Sequence, residues 1–300
     1  HTIWDDRFPI AHQYATDRGV IYGMPHDLAS AGIVYDLTAF ENAGIDTDPY
    51  ALKNWDDRRD AAKKLTERDG ARVTRYGITG GITDAQSLAY WVEANGGSLY
   101  SPDFTQATVD TPEVHGALDY WLELRDGLGI MGGNIQNGDS AMNTNYGNFA
   151  AFNLEALRPD LKFRYTSMPP GPMGSKRNTV TWSNMISIVK TTKHPDLAWE
   201  YVKFYTSPET REAMLRILHR IGPNPSLYQT ATWRSLVAAH PYMSVFGDMA
   251  QVGGLWPFVG TSTAIAAVTT QVDAIVQHKT SIESGLAAAA KQATALLQQG

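Results

Sequence analysis

Cysteine is absent from the 300 residues. That removes disulfide frameworks, thiolate metal sites and cysteine nucleophiles from consideration and leaves the redox compartment open. No stretch approaches the run of about 18 apolar residues that a membrane-spanning helix requires. No block of about five like charges occurs either. With a formal net charge of −6, the basic footprint of a nucleic-acid binder is missing. Histidines such as His26, His115, His194, His219, His240 and His278 are scattered without a His-x-x-x-His spacing, so no zinc site is legible. A Gly-x-Ser-x-Gly elbow and a phosphate loop are lacking, and no two acids stand out as the carboxylate pair of a glycosidase. The triplet Asn224-Pro-Ser226 is disqualified as a glycosylation acceptor by its proline. Enzyme readings therefore find no support, and neither a metal nor a cofactor is expected. The chain opens on His1 with neither an initiator methionine nor a signal peptide, which reads as a processed, truncated or trimmed chain.

What is present is a globular composition, with 43% hydrophobic and 19% charged residues, enough to bury a large core in one or two domains. Eight Trp and fourteen Tyr suit a carbohydrate site, where flat rings stack on the C–H faces of a sugar; the other reading places most of them in the core. Helical periodicity is expected over Asp36 to Ala43, closed by Gly44, and over Trp55 to Glu67, with Trp55, Ala62 and Leu65 inward. It recurs over Ala85 to Ala94, after Thr83 as cap and before Asn95-Gly96-Gly97, and from Thr111-Pro112 to Gly127. The clearest amphipathic helix is His194 to Phe204, with Leu197, Ala198, Tyr201, Val202 and Tyr205 as its apolar face. Strands are expected at Arg72 to Thr79, Ser140 to Thr144, Phe163 to Met168 and Trp182 to Val189. Alternating short strands and helices make an α/β protein.

Four segments carry a resemblance. The first runs from Tyr22-Gly-Met-Pro-His-Asp27 through Tyr35-Asp36 to Phe40-Glu-Asn-Ala-Gly44, with Asp36 where an Asn is usual. The second is Gln136-Asn-Gly-Asp-Ser-Ala-Met142 followed by Asn145-Tyr146-Gly147. The third is Trp182 to Phe204, containing Lys193-His-Pro-Asp-Leu-Ala-Trp199, and then Thr206-Ser-Pro-Glu209. The fourth is Trp256-Pro257 ahead of the terminal helices. In their order and spacing these resemble extracellular solute-binding proteins of family 1, the sugar-binding components of ABC importers similar to maltose-binding protein.

The resemblance implies the two-lobed periplasmic-binding-protein type II fold, with a hinge, an interlobe cleft and an incomplete first lobe. Residues 1–29 would be the remainder of the N-terminal lobe and 30–183 the first part of the C-terminal lobe. Residues 184–225 would return to the N-terminal lobe, and 226–300 would complete the C-terminal lobe as helices. Crossings are expected near Asp27–Gly32, Trp182–Ile186 and Ile221–Leu227. It further implies an extracytoplasmic monomer, periplasmic or lipid-anchored, that captures a sugar and hands it to permease subunits in the membrane. Glycerol-3-phosphate or another small polar solute is the alternative ligand, with Arg220 the nearby cation for a phosphate. A carbohydrate-active enzyme or lectin module is the alternative outside this fold.

A sugar requires an apolar ring face together with fixed carboxylates and amides for its hydroxyls. Asp27 is either a cleft carboxylate or a turn-stabilising acid after Pro25. Asp84 and Gln86 follow the Gly80-Gly81 loop, where Asp84 is equally an acid at a helix N-terminus. Tyr146 is a stacking ring or a core ring, with Asn145 beside it. Trp182, Ser183 and Asn184 lie on the second expected crossing, and Trp256 is a rim aromatic or a core one. Trp91 and Trp199 read as core.

Overall fold

The computed structural model describes residues 3–17, 19–252, 254–255 and 262–299. It divides into two compact units. Unit 1 comprises His1–Ser30, Gly147–Phe152 and Val180–Leu255; unit 2 comprises Ala31–Tyr146, Asn153–Thr179 and Trp256–Gly300.

In unit 1 the helix Pro9–Ala15 leads into a small hairpin, Thr16–Asp17 with Val20–Ile21. Met24–Pro25 pairs antiparallel with Met185–Ile186, and Ala29 and Ser30 pair with Trp182 and Thr181. Gly254–Leu255 adds a parallel neighbour at Val180 and Thr181. The helices Pro195–Tyr205, Pro208–Leu218, Ala231–Ala239 and Met243–Val252 follow. Ser207 caps the second of these by accepting from Thr210 N, as the Ser-Pro start predicts. The short excursion Gly147–Phe152 is held within this unit by two contacts. Asn148 Oδ1 accepts from Ser30 N at 3.3 Å, and the Phe152 ring lies 4.3 Å from that of His219.

Unit 2 continues the strand Ala29–Asp36 from residue 31 onward, fully buried. It pairs antiparallel with Phe163–Thr166, from Ile33 opposite Thr166 to Asp36 opposite Phe163, and neighbours the strand Met142–Gly147 on its other side. Asp36 explains its departure from the usual Asn. Its Oδ1 caps the helix Leu37–Asn42 through Ala39 N, and its Oδ2 takes Arg75 Nη2 at 2.6 Å. Trp55, Trp91, Leu88, Leu118, Val272 and Leu286 lie in the core, and burying a large apolar side chain contributes about 1.5–3 kcal/mol. The helices Ser262–Val276 and Ile282–Leu297 form a terminal hairpin, with Ser281 Oγ capping the second at Ser284 N.

Several expectations need correction. The segment 226–255 lies in unit 1, not in a second-lobe helical tail, and Ile221–Leu227 is interior to that unit. The expected strand Arg72 to Thr79 is a short hairpin arm, Arg72–Arg75 against Glu67–Asp69, followed by isolated bridges at Tyr76, Ile78 and Thr79. Asp84, not Thr83, caps the helix Ala85–Ala94. The apolar face of Pro195–Tyr205 is largely in solvent. Leu197 is 68% exposed and Tyr201 55%, while Val202 is the buried member. Trp199, read as core, is 44% exposed and edges an apolar groove of about 370 Å³ with Trp4, Tyr22, Met24 and Ile186. Periodicity tells which face of a helix is apolar; it does not say whether anything packs there.

Candidate functional site

In unit 2 a polar lip forms where the loop Gly80-Gly81 enters the helix Ala85–Ala94. Two buried indoles fix the loop from inside. Trp121 Nε1 donates to Gly80 O and Trp91 Nε1 to Gly81 O, each at 2.9 Å. Asp84 is exposed, and its Oδ1 accepts from Ser87 N at 2.9 Å, satisfying an orphan amide of the first turn. Gln86 Nε2 donates to Asn145 Oδ1 at 3.2 Å, and Asn145 Nδ2 donates to Ser87 Oγ at 2.8 Å. Asn145 holds φ +59°, a left-handed conformation that Asn tolerates better than most residues. Asp84, Gln86 and Asn145 are thereby brought together: one carboxylate and two partly exposed amides on a rigid backbone.

Tyr146 does not join them. The strand Met142–Gly147 alternates, with Met142, Thr144 and Tyr146 buried and Asn143, Asn145 and Gly147 partly exposed. Side chains along a strand point to opposite faces in turn, so the outward position of Asn145 requires an inward Tyr146. Its ring is 7% exposed and packs 6.2 Å from Tyr165, and its hydroxyl accepts from Gln136 Nε2 at 2.6 Å. Burial holds the phenol above its ordinary pKa. The stacking reading is replaced by the core one, and strand parity was the signal that separates them.

In unit 1 Asp27 is fully buried instead of facing outward. Its carboxylate accepts from Asn184 N at 2.8 Å, from Asn184 Nδ2 at 3.0 and 2.9 Å, and from Arg220 Nη1 at 3.1 Å. Ser183, also buried, donates its hydroxyl to Asp27 O at 2.6 Å. Asp27 and Ser183 therefore tie two chain segments together, whereas Asn184 is exposed and Trp182 half-buried. A side chain at Gly147 would meet the Trp182 ring at 3.8 Å. Beside this knot, Arg7 and Arg211 donate to backbone carbonyls: Arg7 to Pro25 O and Thr206 O, Arg211 to His26 O and Tyr205 O. Both thereby neutralise the negative end of the helix Pro195–Tyr205. Burial, and then the charges of Arg211 and Arg220, hold the His26 imidazole below its ordinary pKa despite Asp27. Trp256 lies outside the described residues. Among the described residues no group of His, Asp and Glu could hold a metal, and no helix is long and apolar enough to cross a membrane.

With both clusters in view, sequence comparison decides the family. The model of the bacterial extracellular solute-binding proteins matches residues 3–212. The chain belongs to that family. Members capture solutes and leave them unaltered, so this solute-binding protein is not an enzyme, and it works outside the cytoplasm. Among curated proteins no sequence matches it. Solved structures do. The cyclic α-maltosyl-1,6-maltose binding protein of Arthrobacter globiformis superposes with a TM-score of 0.83 at 19% identity, covering 99% of this chain and 78% of its own. An ABC substrate-binding protein of Listeria monocytogenes in complex with cycloalternan gives 0.80 at 17% identity, covering 98% and 75%. The maltose/maltodextrin-binding domain MalE of Bdellovibrio bacteriovorus, bound to maltotriose, gives 0.77 at 17% identity, covering 98% and 76%. The solute-binding protein has their fold, the two-lobed α/β type of periplasmic binding proteins.

One feature of the polar lip escaped the sequence reading. Arg58, on the helix Trp55–Leu65, is fully buried beneath it. Its spacing of three from Trp55 and four from Ala62 places it on the inward face, which was the available signal.

Proposed function

We propose that this protein is the sugar receptor of an ABC importer. It captures a mono- or oligosaccharide outside the cytoplasmic membrane, as a monomer that is either periplasmic or lipid-anchored, and delivers it to permease subunits. The observation that carries this reading is the lip of Asp84, Gln86 and Asn145. A carboxylate and two amides, pre-set by their own hydrogen bonds, match the donor and acceptor pairs of sugar hydroxyls. Family membership and structural neighbours named for maltosides support it. Trp182 and Asn184 are the accessible candidates of unit 1. The glycerol-3-phosphate reading loses support at Arg220, whose guanidinium is already paired with the buried carboxylate of Asp27.

A thermal-shift screen tests the proposal, with maltotriose, mannobiose and other saccharides set against phosphate esters. A ligand at about a hundred times its Kd adds about 2.7 kcal/mol of stability. The expected outcome is a saccharide-confined shift that Gln86→Ala reduces; shifts confined to phosphate esters would reject the sugar.

A further inference from the structure

Arg58 is the buried group whose presence the packing does not explain. It is 0% exposed, with its guanidinium carbon 4.5 Å from the centroid of the Trp91 ring. Nη2 donates to Thr144 Oγ1, while Nε and Nη1 meet no partner among the described residues. The ionisable groups acting on its charge are the phenols of Tyr120 and Tyr90, not carboxylates. An unpaired charge in such surroundings opposes folding, and a hydrophobic side chain of similar length is commonly the more stable occupant.

What Arg58 touches gives its role. Thr144 is fixed on one side by its backbone, N to Thr79 O at 2.8 Å, and on the other by the guanidinium. The residue after it is Asn145, whose left-handed turn aims its amide at Gln86 and Ser87. The indole over Arg58 is the one that holds Gly81 O. The neighbouring Gly80 abuts Thr144 so closely that a Cβ there would lie 2.7 Å from Thr144 Cβ. One guanidinium thus braces both arms of the lip, the strand that presents Asn145 and the loop that leads to Asp84.

We infer that Arg58 is a positioning residue for solute recognition: by gripping Thr144 and stacking on Trp91 it sets the geometry of Asn145 and the Gly81 loop, although it never meets the solute. The inference deepens the sugar-binding reading and rests on it.

Stability and affinity should move in opposite directions on removing the charge, which a merely structural role would not produce. Arg58→Met is expected to melt at or above the wild-type temperature while its maltotriose Kd, measured by calorimetry, rises at least tenfold. Should that variant fail to fold, Arg58→Lys keeps the charge without the fork and is expected to show the same weakening. Thr144→Val removes the acceptor; its loss should not add to that of Arg58→Met in the double variant. Unchanged affinity in folded Arg58 variants, or fully additive losses, would overturn the inference. If the wild type itself ignores maltotriose and every other saccharide of the thermal-shift screen, it is the ligand reading that fails. The side-chain amide NMR signals of Gln86 and Asn145 then decide: displaced by Arg58→Met if the inference is right, unmoved if it is wrong.

Discussion

Glu93 gives the structure its sharpest pH-dependent prediction. It lies near the end of the helix Ala85–Ala94, where its Oε2 accepts from Asn178 Nδ2 at 3.0 Å. Burial pushes the carboxyl from 4.5 up to about 7, against the opposing effect of the Asn178 hydrogen bond. In the unfolded chain the group titrates near its ordinary value. Below that value both states are protonated and the contribution to stability is complete. As pH rises toward 7, the unfolded state ionises first and the folded state is left holding a proton, so stability is lost across this window. At about 1.4 kcal/mol per pKa unit the loss is about 3 kcal/mol. That is a ceiling, because Glu93 retains some solvent contact. Glu93→Gln keeps an acceptor for Asn178 and cannot ionise. Urea unfolding of both proteins should give similar stabilities at about pH 4.5 and a variant more stable by up to about 3 kcal/mol at about pH 8. Stability curves that run parallel through the window would refute the argument.

Three further outcomes follow from the two clusters and the open helix. Asp27→Ala should cost about 2–3 kcal/mol through lost charged hydrogen bonds, read by urea unfolding; an unchanged stability would contradict its role as a brace for Asn184 and Arg220. Tyr146→Ala should behave as a core truncation and cost about 3 kcal/mol; a variant of undiminished stability that no longer binds sugar would return the ring to the ligand. Leu197→Ser and Phe204→Ser, at 68% and 65% exposure, should each change unfolding free energy by less than about 0.5 kcal/mol.

Much of the fold could be read from local chemistry. Pro at the start of the helices Pro112–Leu122 and Pro208–Leu218 and Asn95-Gly96 at the end of Ala85–Ala94 mark their boundaries in the sequence, because capping is decided within one turn. The lip was legible only in part: Asp84 and Gln86 follow a glycine loop at a helix start, but the cap falls at Asp84 and not at Thr83, and the strand that presents Asn145 runs to Gly147, past its expected end at Thr144. Tertiary partners were not legible. Asp27 reads equally well as a ligand or a brace until Asn184 and Arg220 are seen around it, since those partners lie 157 and 193 residues away in sequence. Likewise, the amphipathic pattern of Pro195–Tyr205 describes the helix and not what covers it. Arg58 escaped because a charged side chain on an inward face runs against the usual hydrophobic preference, and such exceptions are expected where local stability is traded for a site.

Under the proposed function, the polar lip captures a saccharide and releases it unmodified. Calorimetric titration of the saccharide that most stabilises the wild type into the protein and into Asn145→Ala, with mass analysis of the sugar recovered afterwards, tests this most directly. Saturable binding by the wild type, at least tenfold weaker binding by the variant and sugar returned intact are the expected results. Equal affinity in the two proteins, or shortened sugar in the recovered fraction, would contradict that function.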